Sequence, residues 1–427
     1  MTLAPSRPET GLRRTVLPNG LTVLSEWMPG VRSVAFGAWV RAGSVHEPRE
    51  RMGVSHFLEH MVFKGTATRG PREIAAAIET LGGSLDAYTA REHTAYQARL
   101  LDEHVSEAVN VIGELLFSPL LRAEDLDLER KVILEEIAAV DDTPDDLVFE
   151  LHNETLWNGH PYGFNILGTR ETVGAMHIDD LRALHELAYR PDRIVVAASG
   201  NIGHEQLLDL MEAGGWSRPL AGGGAQFTAP PIGRPKARTK HVRRRGTQTH
   251  IVFGGGSVTH RDPRRHACTL IGMLLGDGMS SRLFQRVREE LGLAYAVYSF
   301  QEYYQDTGIH GVYVGTAPET AVKAAEAVRE ELLRLVNEGM PREDFVATKR
   351  QLKGQITLAM EGVSARMYRA AAVELYAEPY RTLDQLLEEI ERIDEETVNA
   401  VCREFFDPAM LTQVTLGPAV KRMKKTE

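Results

Sequence analysis

Apolar and polar positions alternate over residues 15–27 around Asn19-Gly20, the pair that most readily supplies the positive φ values of a two-residue turn. The pattern therefore predicts an opening β-hairpin. Residues 33–42 read as a further strand, and over 52–64 the apolar positions shift to helical spacing until Gly65. A second helix is expected over 71–81, with Pro71 at its start. After Gly82-Gly83 a hairpin follows, Ser84–Thr89 with Thr94–Leu101. Helical spacing then predicts 103–117, 123–140, 145–157 and 179–188, and 193–199 reads as a buried strand.

Residues 217–245 lose periodicity and carry Gly222-Gly223-Gly224, Pro230-Pro231, Pro235 and the basic run HVRRR, which marks a linker. Beyond it the order of elements recurs. A strand is expected over 250–253, helices over 264–275 and 282–291, and strands over 295–304 and 309–315. Helices over 321–337, 342–358 and 383–406 and a closing strand over 410–416 complete the pattern. The expected fold class is α+β: two similar domains, 1–216 and 246–427, each a mainly antiparallel sheet flanked by helices and related by internal duplication. Gly254-Gly255-Gly256-Ser257 and Gly276-Asp277-Gly278 lack the lysine of a phosphate loop and the GxGxxG order, and read as turns and close-packing sites.

With 427 residues, 43% of them apolar, the chain exceeds one ordinary core, in line with two domains. A net charge of −10 gives no broad basic footprint for nucleic acid or anionic lipid. Two cysteines, Cys268 and Cys402, make neither a disulfide framework nor a cysteine metal site. The first thirty residues hold no export-signal pattern, and no run of eighteen apolar residues occurs. A soluble, cytoplasmic protein with no membrane span is the expectation.

The chemistry concentrates in Ser55-His56-Phe57-Leu58-Glu59-His60-Met61. At 3.6 residues per turn, His56 and His60 differ by only about 40° around a helix, so both imidazoles can address one ion. A hydrolytic metal site needs an open position for water and a carboxylate to take its proton, and Glu59 stands beside the pair. Chance supplies an HxxEH string in such a chain with odds of about one in twenty-five, so the string needs a third ligand to carry weight. The segment 129–136, ERKVILEE, supplies candidates. Glu129 and Glu136, nearly two turns apart, share a helix face; one can bind the metal while the other orients a histidine, whereas Glu135 sits about 100° away from Glu136.

HFLEHMVFKGT, SLDAYTAREHTAY, ERKVILEEI and GMSSRLFQRVREELGLAYAV together resemble the pitrilysin and insulysin family of zinc peptidases. The chain is similar in particular to its half-size bacterial members and to the mitochondrial processing peptidase β subunit, over essentially its whole length. The resemblance implies that His56, His60 and Glu136 hold one Zn2+ per chain, that Glu59 activates the water, and that Glu129 supports the site. It also implies that the strand carrying Asp86, Ala87 and Tyr88 receives the peptide by β-augmentation. Asp86 stands where the family usually shows asparagine and cannot donate a hydrogen bond while ionised. Arg288 and Tyr295 resemble the pair that faces the substrate and its developing oxyanion. Asp146 and Glu150 resemble carboxylates that bind a substrate arginine, and a solvated acidic helix is the plain alternative. Full-length relatives enclose peptide in a clamshell, of which this chain would be half. The expected assembly is a homodimer whose site is completed in trans, with a heterodimer as the other possibility. The rival function is a catalytically silent scaffold or a peptide-binding partner subunit of the same fold.

Overall fold

The computed structural model describes residues 11–219 and 227–418, which leaves the Gly222–Gly224 run outside the described residues. The chain separates into two compact units. The first contains a six-stranded sheet made of β1 (Leu12–Val16), β2 (Thr22–Trp27), β3 (Ser33–Val40), β4 (Ser84–Thr89), β5 (Thr94–Leu101) and β6 (Ile194–Gly200), in the order β1-β2-β6-β3-β5-β4. The second contains β7 (Thr239–Arg243), β8 (Thr249–Ser257), β9 (Ala294–Tyr303), β10 (Gly308–Thr316) and β11 (Thr412–Gly417), ordered β7-β11-β8-β10-β9. Aside from β1, the two orders correspond strand for strand. Each has one parallel pair, β2 with β6 and β7 with β11, and antiparallel pairing elsewhere. The expected duplication is thus present in the topology.

Alternation along the central strands separates two apolar layers. In β3, Val34, Phe36, Ala38 and Val40 face one core, which also takes in Phe57, Leu58, Met61 and Val62 of α1 (Val54–Val62). Ala35 and Trp39 face the other, together with Val195 and Ala197 of β6. That second layer is closed by helix Val363–Leu375 through Val363, Met367, Ala370, Ala371 and Leu375. A strand buried on both faces reads as a near-continuous apolar run, here Ile194–Ala198, which is why 193–199 is legible as one. Each large side chain buried in these layers contributes about 1.5–3 kcal/mol.

The compact units are not the contiguous halves expected. The first comprises the chain to Ile137, Phe164–Pro230 and Ile356–Leu383; the second comprises Ala138–Gly163, Pro231–Gln355 and the chain from Asp384. Three helices follow the hairpin in each half. In the first half they are α3 (Val105–Phe117), α4 (Ala123–Asp142) and α5 (Pro144–Trp157), α2 (Pro71–Glu79) having preceded the hairpin; in the second they are Ala321–Glu338, Arg342–Ala359 and Val363–Leu375. The third helix of each set packs on the sheet built mainly from the other half: α5 places Val148 against Val252, Tyr313, Val414 and Leu416. Helix periodicity fixes that an apolar face exists, not which sheet receives it.

Other differences are local. The first hairpin turns through five residues, with Val16 opposite Thr22, rather than two. The Asn19 amide donates instead to the carbonyls of Trp216 and Arg218, at 2.8 and 3.0 Å. The expected linker contains a strand, β7, whose single apolar residue, Val242, gave no alternation to read. The glycines 254–256 lie inside β8 rather than in a turn, and they do pack closely: a Cβ on Gly254 would sit 2.5 Å from His152 Cε1. The helix expected over 383–406 is two, Leu383–Arg392 and Glu395–Phe405, and Asp394 caps the latter by accepting from Thr397 N at 2.8 Å. Cys268 and Cys402 are free and buried, and burial pushes both thiols up to about 12. Among the described residues no helix is long and apolar enough to cross a membrane.

Candidate metal centre

Helix α1 is buried at eight of its nine positions, so its polar side chains lie where only partners can satisfy them. Its start is set by Gly53, whose φ of +92° places it in the left-handed region; a Cβ there would meet the Leu167 carbonyl oxygen at 2.6 Å. Glu47 caps that start, accepting from the main-chain N–H groups of Gly53 and Ser55 at 2.7 and 2.8 Å. Burial lifts the Glu47 carboxyl to about 7 in spite of those two donors.

From this helix, His56 and His60 bring their Nε2 atoms to 3.2 Å of each other. Oε2 of Glu136, on α4, lies 3.7 Å from each. The three side chains offer ligand atoms all within 4.8 Å of one another, the one such group of three among the described residues. Glu135, exposed on α4, is not part of it. Glu129, one helical face away from solvent, accepts from His60 Nδ1 at 2.9 Å and pairs through its other oxygen with Lys64. With Nδ1 of His60 as the donor, its Nε2 carries the lone pair. Burial, reinforced by neighbouring His60, drives His56 down to about 3, so the His56 imidazole is neutral. Two imidazole lone pairs and a carboxylate oxygen thus converge on one point. Such a set of acceptors repels itself unless a cation lies among them, and His2Glu is a donor set suited to zinc.

Glu59 is buried next to this cluster, and desolvation raises its carboxyl above the ordinary range. Its Oε2 accepts from the Thr89 hydroxyl at 2.7 Å. Thr89 ends β4, which pairs with β5 alone and so forms an edge of the first sheet. Leu85 and Ala87 of β4 lie toward the core shared with α1, whereas Tyr88 packs toward the opposite layer, its hydroxyl 3.4 Å from Trp39 Nε1. Asp86 is exposed on that edge strand.

The remaining expected residues lie in the second unit. Arg288, on the π-wound turn Phe284–Glu290, stacks its guanidinium 4.7 Å from the centroid of the Tyr295 ring. Tyr295 is 78% exposed at the start of β9, itself an edge strand, so the pair presents its polar groups to solvent. Asp146 and Glu150 lie on α5, the former exposed and the latter half-buried.

Sequence reading gave Thr89 only a place in the peptide-receiving strand, with no link to Glu59, and gave no role to Lys64 or Glu47. That link was within reach, since period-two alternation from Leu85 and Ala87 puts Thr89 on the side of the sheet that α1 covers. Glu47 was not, because it caps from six residues before Gly53, outside any local capping spacing.

Residues 22–170 match the insulinase family model (peptidase family M16), and residues 175–352 match the model described as the peptidase M16 inactive domain. A Bacillus subtilis protein, the uncharacterized zinc protease YmxG, is 35% identical over 397 residues, covering 92% of this chain and 96% of its own. A Streptomyces coelicolor zinc protease is 37% identical over 398 residues, covering 92% and 87%. Among solved structures, a peptidase M16 inactive domain from Pseudomonas fluorescens superposes with a TM-score of 0.89 at 21% identity, over 97% of this chain and 99% of its own. A Helicobacter pylori protease does so with a TM-score of 0.89 at 21% identity, over 96% and 100%.

Proposed function

Because the chain belongs to the insulinase-type peptidase family M16, we propose that it is a zinc-dependent endopeptidase acting on peptides or short unfolded segments. The observation that carries this reading is the convergence of His56, His60 and Glu136 beside a buried Glu59. One Zn2+ per chain, held by those three, would supply a more acidic water and polarise the scissile carbonyl. Glu59, out of bulk water, takes the proton from the attacking water and can return it to the leaving amine. Glu129 holds His60 in the tautomer that presents Nε2. Strand β4 offers its free edge to an extended peptide by main-chain hydrogen bonds, with Asp86, Ala87 and Tyr88 alongside.

Tyr295 would donate to the oxyanion and Arg288 would hold the peptide backbone, both contributed by a second copy of the chain across a closed chamber. The silent-scaffold reading draws on the description of the second matched model as an inactive domain. Against it, the first unit retains the complete set of ligands and the base. The test is mass-spectrometric mapping of cuts in a peptide mixture. Cleavage abolished by a chelator and restored by zinc is expected; persistent cleavage under chelation, or none with zinc bound, contradicts the proposal.

A further inference from the structure

We propose that Thr89 is a positioning residue of this site, holding the Glu59 carboxylate in register with the strand that receives the peptide. The inference rests on the peptidase reading above.

Glu59 is 8% exposed on a helix whose other side chains pack tightly, and its hydrogen bond from the Thr89 hydroxyl, 2.7 Å to Oε2, comes from a different element. The hydroxyl of Thr89 therefore bears directly on one oxygen of the Glu59 carboxylate. Thr89 itself has little freedom. It is β-branched, which restricts χ1, and it stands opposite Thr94, whose hydroxyl donates to the Ala42 carbonyl at 2.9 Å inside the sheet. The fixed point is thus a residue of β4, the edge strand, rather than a neighbour on α1. A peptide paired along that edge and the base that serves its scissile bond would then share one rigid reference.

A base displaced by about 1 Å loses on the order of a hundredfold in rate, whereas substrate affinity set by strand pairing is unaffected. Thr89→Val keeps the shape and removes the donor; Thr89→Ser keeps the donor on a smaller side chain. We expect Thr89→Val to lower kcat about ten- to a hundredfold with KM changed by less than about twofold, and Thr89→Ser to restore most of the loss. Zinc content and Tm should stay near those of the parent in both. A Thr89→Val chain with the parent's kcat overturns the inference while leaving the peptidase reading intact. So does a serine variant as slow as the valine one, because it assigns the loss to packing. A zinc-loaded parent that cleaves nothing overturns the peptidase reading, and this inference with it.

Discussion

Glu47 shows how a single buried carboxyl can couple the motif helix to pH. Its folded value near 7 lies above the ordinary 4.5, so between the two the folded chain holds the proton more tightly than the unfolded one. The associated stability is complete below the unfolded value and is lost as pH rises through about 7, a swing of about 3 kcal/mol. Glu47→Gln, neutral throughout, is expected to flatten the decline in urea midpoint between about pH 5 and about pH 8 relative to the parent. Parallel curves for the two chains would show that Glu47 titrates normally. At the same scale, Glu136 and Glu135 illustrate the limit of spacing rules. Helical geometry left several carboxylates open; Ile133 and Ile137, both buried, rotate α4 so that Glu136 meets the histidines and Glu135 meets water.

At the scale of elements, β4 is the part of the site that owes most to position in a sheet. Ala90 N donates to the His93 carbonyl at 2.8 Å, so by antiparallel alternation the N–H groups of Asp86 and Tyr88 point into β5. Those of Leu85, Ala87 and Thr89 point to the free edge. Proline at Ala87 would remove one outward donor without breaking the ladder. Ala87→Pro is expected to keep zinc and fold and to lower kcat/KM about tenfold or more; an unchanged kcat/KM on an extended peptide would place substrate elsewhere. The hairpin of β4 and β5 was legible to the residue because its alternation is regular, and α1 to within two residues at each end because its apolar positions recur at helical spacing. Helix Val363–Leu375 was not anticipated, although its buried residues recur at helical spacing. Strand β7 was hidden for the opposite reason: its register is imposed by β11, some 170 residues away, and its own side chains are mostly charged or polar.

At the scale of the whole molecule, the residues proposed to hold zinc belong to one unit and Arg288 and Tyr295 to the other, and the proposed trans completion makes a quantitative prediction. Glu59→Gln and Tyr295→Phe chains, each nearly inactive alone, are mixed under conditions that exchange subunits. In a mixed dimer one site carries both defects and the other neither, so activity should recover towards about a quarter of the parent's. Verified mixed dimers without recovery would exclude trans completion. The duplicated sheets could be read from the repeated order of elements, but the exchange of α5 and helix Val363–Leu375 could not, since local periodicity does not encode which sheet a helix covers. The chain's function turns on whether metal holding and proton transfer are divided among residues as the site suggests. The most direct measurement is zinc per chain together with turnover for Glu59→Gln and Glu136→Gln beside the parent. Glu59→Gln is expected to keep its zinc and lose at least about a hundredfold in kcat, and Glu136→Gln to lose the zinc. A Glu59→Gln chain that retains both zinc and the parent's turnover would contradict the assignment of Glu59 as the base.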